Sequence, residues 1–223
     1  MFPFIRKAIN EIKRGGMVIV TDDESRENEG DLIMAAHFMT PQKLRFMHDY
    51  GRGLVCVPME SRRAKKLNLW PIVPDELNTE CTKCKFMVSV DYKNSKFNHE
   101  PRKLAGLGQN SKLDEYKTGV SFAARAHTIQ ALSNSKTNAD DFTRPGHVVP
   151  LAAEEWGVLS REGHTEAAVD LVRLSGITPP VAVLVEVLKK DGTIARGPYL
   201  KTFARRHSLT QITIADLAEY RKY

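Results

Sequence analysis

Residues 22 to 31, Asp22-Asp23-Glu24-Ser25-Arg26-Glu27-Asn28-Glu29-Gly30-Asp31, place six carboxylates in ten positions, between the apolar runs Met17 to Val20 and Leu32 to Ala36. Charge at this density repels itself and resists burial unless a cation compensates it. The usual compensator is a divalent metal, and a hard metal takes oxygen ligands. In an extended segment Glu27, Glu29 and Asp31 point to one side, because strand side chains alternate. The alternative is a solvated acidic loop, the common fate of like-charge blocks. Two details weigh against it: Arg26 sits inside the cluster, and the flanking runs read as core strands that would hold the loop rigidly.

Three further constellations could carry chemistry. In Ser160-Arg161-Glu162-Gly163-His164-Thr165, a glycine lets backbone approach a ligand. The helix that follows offers free N–H groups and a partial positive charge. Arg161 adds a planar cation, Thr165 a hydroxyl and His164 an imidazole suited to a metal. Together they would cradle a phosphate; alternatively Thr165 merely caps the helix and His164 lies at the surface. In Arg144-Pro145-Gly146-His147 a turn would aim His147, whose imidazole titrates near neutral pH and moves protons. A lone turn histidine is also often structural. Glu186 interrupts the apolar run Val181 to Val187; buried at a cleft it would have a raised pKa and act as general acid or base, and at an edge it would face water. The lone Cys81-Thr82-Lys83-Cys84 has no second pair and falls short of the four ligands of a structural zinc. Cys56 reads as a core residue with some chance of lying near the site.

These residues need a scaffold, and 223 residues at 42% hydrophobic composition can build one sizeable core. Helical spacing of Ile5, Ala8, Ile9 and Ile12 predicts a first helix stopped at Gly15-Gly16. Strands are expected at Met17 to Thr21, Leu32 to Ala36, Gly53 to Pro58, Phe86 to Val90, Val181 to Val187 and Gln211 to Ile214. Helices are expected after Thr40-Pro41, from Ser61 to Asn68, from Ser121 to Ser133, from Thr165 to Ser175, from Tyr199 to His207 and from Asp216. Residues 93 to 117, rich in Lys, Asn, Gly and Pro, read as a mobile insertion. The uneven alternation points to an α/β chain of the α+β type, a mixed β-sheet sandwiched by helices in a single domain over 1–223. The net charge of +6 and pI near 9.2 suit anionic small molecules. No Lys/Arg block argues for nucleic acid, and no apolar run approaches a membrane span. Three cysteines make no disulfide framework, and the N-terminus has no signal-peptide pattern, so a reduced, cytoplasmic setting is expected.

Taken jointly, DDESRENEGD, RPGHVVPL, GHTEAAVDL and DGTIARGP closely resemble the signatures of 3,4-dihydroxy-2-butanone 4-phosphate synthases of riboflavin biosynthesis, in that family's order over nearly the whole chain. The resemblance implies conversion of D-ribulose 5-phosphate to 3,4-dihydroxy-2-butanone 4-phosphate and formate by a homodimer, with active sites near the subunit interface. It implies Mg2+ or Mn2+, two ions per site, and no organic cofactor. Glu27 and His164 match the metal ligands. Arg26, Glu27, Asp31, Arg161, Glu162, Gly163, His164, Thr165 and Glu186 match substrate-binding positions, and His147 and Glu186 match those essential for catalysis. Where the family commonly reads Ser-Ala-x-Asp-Arg, this chain has Ser121-Phe122-Ala123-Ala124-Arg125. Two other classes compete: a nucleic-acid binder, permitted by charge but short of interleaved aromatics, and a catalytically weak homologue retained for interaction, motivated by Ala124 and the insertion.

Overall fold

A computed structural model of the chain describes residues 2–93 and 118–223. The expected insertion at 93 to 117 lies, apart from Lys93, outside the described residues. The chain opens with helix α1 (Pro3–Lys13), which buries Ile5, Ala8 and Ile12, the stripe its periodicity predicts. Strands β1 (Val18–Thr21) and β2 (Gly30–Ala35) flank the acidic segment as an antiparallel pair. Helix α2 (Pro41–Phe46) has proline in its first turn, and the Thr40 hydroxyl accepts from the Lys43 N–H. Then come β3 (Cys56–Glu60), the basic α3 (Ser61–Lys66), the short β4 (Lys85–Phe86) and β5 (Val90–Tyr92), and α4 (Phe122–Leu132). The chain finishes with β6 (Phe142–Ala153), α5 (His164–Leu174), β7 (Ala182–Glu186), α6 (Gly197–Arg206), β8 (Thr210–Thr213) and α7 (Ile214–Arg221).

Seven strands run in the order β4-β6-β3-β7-β2-β1-β8, and β5 pairs with β6 off that path. β1 is parallel to β8 and β3 to β6, while β2 and β7 pair antiparallel, so the sheet is mixed as expected. Both faces are covered. Ile33, Ala35, Ala182 and Leu184 pack with α1, α5 and α7, whereas Leu32, Met34, Val183 and Val185 pack with α2, α3, α4 and α6. The period-two switch between neighbours assigns every strand residue to one face.

Three local expectations change. The single strand expected at Phe86 to Val90 is the two short strands β4 and β5, both laid against β6. The last helix begins at Ile214 rather than Asp216, because Thr213 supplies the cap and accepts from the Asp216 N–H. Arg144 to His147, read as a turn, lies inside the twelve-residue β6. Proline and glycine are the usual turn residues, but here glycine permits a close backbone approach. A Cβ on Gly146 would stand 2.0 Å from the Val90 carbonyl carbon of the neighbouring strand.

Candidate active site

The sheet and one helix terminus converge on a cleft at the edge of the α5 face. Asp31 stands directly opposite Glu186 in the β2/β7 register, and Cys56 opposite Leu184. Alternation puts Glu29, Asp31 and Glu186 on the same face as Ile33 and Leu184, the face α5 covers. That helix starts immediately after Gly163, so His164 occupies its first turn and meets the carboxylates at the sheet edge. Glu29, Asp31, Cys56, His164, Leu184 and Glu186 line one cavity of ≈ 170 Å³ with Arg26, Glu27 and Thr165.

The acidic loop is folded rather than extended. Its organiser is Asp22, whose side chain is fully buried. Asp22 accepts from the Glu29 N–H at 2.8 Å, the Glu27 N–H at 3.0 Å and the Arg26 guanidinium at 2.9 Å. Arg26 also pairs with Glu27. Thus the cation inside the segment neutralises its neighbours, as its position implied. Glu27 Oε2 lies 3.5 Å from His164 Nδ1, and Asp31 Oδ1 lies 4.0 Å from His164 Nε2.

These placements shift the acids apart. The His164 imidazole, and Arg26 after it, hold the Glu27 carboxyl below its usual range against the effect of burial. Burial, with the nearby Glu186 and Glu29 charges, pushes Asp31 up to about 7. Burial likewise raises Glu186, although it accepts from the Leu54 N–H at 2.7 Å, and raises Glu29. Burial opposes the His164 cation, yet Asp31, Glu27 and Asp22 outweigh it and take the imidazole up to about 9. The site therefore holds carboxyl groups of different proton affinity side by side, as general acid–base work requires.

The donor set fits a divalent ion. Ligand atoms of Asp22, Glu27 and His164 lie within 4.8 Å of one another, a little wider than the ~3–4 Å separations around an ion with bonds near 2.1 Å. Displacement of Arg26 from Glu27 would allow that contraction. Among the described residues, four buried side-chain polar atoms have no hydrogen-bond partner, and two of them are Asp31 Oδ1 and His164 Nε2, which face each other here. Carboxylate oxygens with one imidazole are the ligands of a hard or borderline cation such as Mg2+ or Mn2+.

Beside this cluster, Arg161 is clamped. Its Nε donates to the Thr82 carbonyl at 3.0 Å, Nη2 to Thr82 Oγ1 at 3.1 Å and Nη1 to buried Glu166 at 2.5 Å. The loop it grips is knotted by Glu80, which accepts from the N–H groups of Thr82 and Cys84 and from the Thr82 hydroxyl. Gly163 is buried, Thr165 is buried with its hydroxyl 3.7 Å from Cys84 Sγ, and the helix N-terminus opens beside them. Thr165 does not cap the helix, since the N-cap position belongs to Gly163.

The structure thus brings together Arg26, Glu27, Asp31, Arg161, His164, Thr165 and Glu186 around the cavity, with Gly163 behind its wall as the N-cap of the helix that carries His164. It leaves out two sequence-derived candidates. Glu162 is exposed and does not line the cavity. His147 is also outside it, four residues and therefore about 13 Å along β6 from the cavity residue Leu151. Its Nδ1 pairs with Asp91 at 2.6 Å, and its N–H donates to the same carboxylate at 2.9 Å. Conversely, the site also uses Asp22, Glu80 and Thr82, which no local pattern of the sequence sets apart, although Asp22 lies inside the acidic motif. The CxxC segment read as incidental places Cys84 in the cavity wall, and Cys56 lines it too.

Comparison with known proteins supplies independent findings. The family described as 3,4-dihydroxy-2-butanone 4-phosphate synthase matches residues 6–99 and 109–220. A protein of that name from Agrobacterium fabrum (strain C58) is 46% identical over 218 residues, covering 98% of this chain and 92% of its own. The riboflavin biosynthesis protein RibBA of Bacillus subtilis (strain 168) is 43% identical over 221 residues. This chain spans 50% of that longer protein, and about half the length of several other curated relatives it matches. A solved 3,4-dihydroxy-2-butanone 4-phosphate synthase in complex with two magnesium ions superposes with a TM-score of 0.81 at 34% identity, over 98% of this chain and 96% of that one. The two-domain synthase RibBX from A. baumannii gives 0.83 at 40% identity, over 97% of this chain and 57% of that one.

Proposed function

Because the chain belongs to the 3,4-dihydroxy-2-butanone 4-phosphate synthase family, we propose that it is a metal-dependent carbon–carbon lyase converting D-ribulose 5-phosphate to 3,4-dihydroxy-2-butanone 4-phosphate and formate, for riboflavin synthesis. The observation that carries this reading is the convergence of Glu27, Asp31, Glu186 and His164, from three separate segments, on one cavity. We assign Glu27 and His164 as ligands of Mg2+ or Mn2+, with Asp22 within reach of the same ion. A solved synthase similar to this chain is in complex with two magnesium ions, which supports two per site here. A bound divalent ion would polarise the oxygens of an α-hydroxyketone.

The remaining steps belong to the chain's own residues. Arg161, Gly163, Thr165 and the N-terminus of α5 take the phosphate, as a planar fork, a hydroxyl and free N–H groups do well. Arg26 and Asp31 bind the sugar. Glu186, its proton affinity raised by burial, moves protons at the carbon skeleton. His147 is the second proton carrier. Its Nδ1 is held by Asp91, which leaves Nε2 to face outward. Its distance from the cavity of its own chain supports a homodimer in which it serves the site near the subunit interface. The exposed apolar side chains of Leu54 and Val120 are consistent with such an interface. We read 1–223 as one catalytic domain with an insertion at 93–117, acting without an organic cofactor. Its free thiols suit the cytoplasm. No described helix is long and apolar enough to cross a membrane.

The test is formate release from D-ribulose 5-phosphate with magnesium. Turnover that persists undiminished in excess chelator would sink the metal role. Absence of formate with well-folded, metal-loaded protein would sink the reaction and favour a catalytically weak homologue.

A further inference from the structure

At the far end of α5 from His164 lies a second cavity, of ≈ 460 Å³, walled by the cations of Arg62, Lys65, Arg173 and Arg221, with Trp156 at its rim. Arg173 is nine residues from His164, about 13 Å along the helix, so this cavity is separate from the cleft. Its volume falls in the range of ~300–1,000 Å³ usual for small-molecule sites.

The walls are built rather than loose. Asp170, fully buried, accepts from Arg221 Nη1 at 2.6 Å and pairs with Arg173. Glu60, also buried, accepts from Arg173 Nη2 at 3.0 Å and pairs with Arg62. The turn bearing Trp156 is pinned to the same acid. The Val158 N–H donates to Asp170 at 2.9 Å, and Arg221 donates to the Trp156 carbonyl at 2.8 Å. Gly157, at φ +64, packs so tightly that a Cβ there would stand 2.3 Å from the Asp170 carboxylate. On this rigid base the indole is 67% exposed. A tryptophan whose backbone is pinned while its ring stays in water forgoes the burial that ring could gain, and it offers a flat stacking surface. Unspent donors surround it. Among the described residues the Lys65 ammonium has no hydrogen-bond or ion-pair partner, Arg62 keeps Nη1 free, and Arg221 keeps Nε and Nη2 free. Glu154 is occupied by Lys85 at 3.0 Å, which leaves the Glu155 carboxylate as an acceptor in the wall.

We propose that this cavity binds a phosphorylated nucleoside: a planar base stacked on Trp156, its amino group toward Glu155, and its phosphate on Lys65, Arg62 and Arg221. The proposal does not depend on the catalytic assignment, because no residue of the cleft takes part.

Calorimetric titration of the full chain with adenosine 5′-monophosphate tests it, with adenosine and inorganic phosphate as separate arms. The nucleotide should bind at least about tenfold more tightly than either fragment, since stacking and a charged contact are each worth about that factor. Trp156→Ala should weaken nucleotide binding about tenfold, with an unchanged circular dichroism spectrum. Lys65→Ala, at an exposed position, should weaken it several-fold and reduce its salt dependence. Glu27→Gln should bind the nucleotide with parental affinity. The idea is overturned by no binding at millimolar nucleotide, by inorganic phosphate binding as tightly as the nucleotide, by undiminished binding to folded Trp156→Ala, or by loss of binding in Glu27→Gln, which would place the ligand in the cleft.

Discussion

Asp22 is the residue on which the acidic loop depends, and Asp22→Asn separates its structural role from its charge. The carboxylate is fully buried; Oδ1 accepts from the Glu29 N–H, and Oδ2 accepts from the Glu27 N–H and from Arg26. An asparagine amide has one acceptor oxygen. Whichever way it turns, its NH2 confronts at least one N–H that it cannot satisfy. In the better orientation the oxygen keeps Glu27 and Arg26, and the Glu29 N–H is orphaned. Losing a hydrogen bond to a charged acceptor costs ~1.5–3 kcal/mol, and the two retained bonds weaken as the charge goes. Removing a negative charge relieves some repulsion among Glu27, Glu29 and Asp31, but Arg26 and His164 lose an attractive partner, so the hydrogen-bond loss decides the sign. A net destabilisation of about 3 kcal/mol corresponds to a fall in Tm of roughly 6–12 °C for a chain of this size. Because the loop also places Glu27, magnesium affinity should fall with it. Scanning calorimetry with and without magnesium, together with metal titration, reads both. A variant matching the parent in Tm and in magnesium affinity would show that Asp22 neither ties the loop nor serves the ion.

Four other perturbations address the remaining parts. Glu27→Gln should lower magnesium affinity by about tenfold or more and abolish formate release, while Tm stays near the parent's because Glu27 is partly exposed; calorimetric metal titration is the primary readout. Arg161→Lys breaks a fork that spans Thr82 and Glu166, and should raise KM for the phosphorylated substrate about tenfold with kcat little changed; equal use of unphosphorylated ribulose by the parent would leave the phosphate cradle without a function. His147→Asn should lower kcat by roughly two to four orders of magnitude with an unaltered thermal midpoint, since the imidazole is exposed; parental kcat across the neutral pH range removes it from the mechanism. Glu80→Gln tests the knotted loop through pH. Burial opposes its ionisation, but hydrogen bonds from Thr82 and Cys84 prevail and hold it at about 2. A depressed folded pKa gives stability that is present above the unfolded value of ~4.3 and is lost as pH falls toward the folded one. The urea midpoint of the variant should therefore lie below the parent's at pH 7, with the gap closing by about pH 2; a gap that persists in acid contradicts this account.

What could be read in advance divides along a physical line. Buried strands were legible because both faces of the sheet are covered, so Val181 to Val185 and Leu32 to Ala36 are apolar without interruption. Helices were legible where the signal is local, a cap followed by proline at Thr40-Pro41 or the apolar stripe Ile5, Ala8 and Ile12. The site was legible where chemistry is concentrated in a short segment: Arg26, Glu27 and Asp31 in one motif, and Arg161, His164 and Thr165 in another. Long-range pairing was not. No local pattern says that Asp31 stands across from Glu186, that Thr82 catches Arg161, or that Asp91 holds His147, since each depends on register or on a loop laid against a distant turn. The misreading of Arg144 to His147 has the same origin. Proline and glycine report local backbone preference, and only the neighbouring β5, whose backbone Gly146 touches, makes that preference serve a strand. His147 carries the argument furthest. Its segment is recognisable, its partner Asp91 fixes it, and it still stands outside the cleft its chemistry would serve. A residue so held, yet about 13 Å along its strand from the cleft of its own chain, makes oligomeric state the quantity on which the proposed catalysis turns. Sedimentation of the active enzyme as a monomer, at the concentration where it turns over, would break the link between His147 and the reaction.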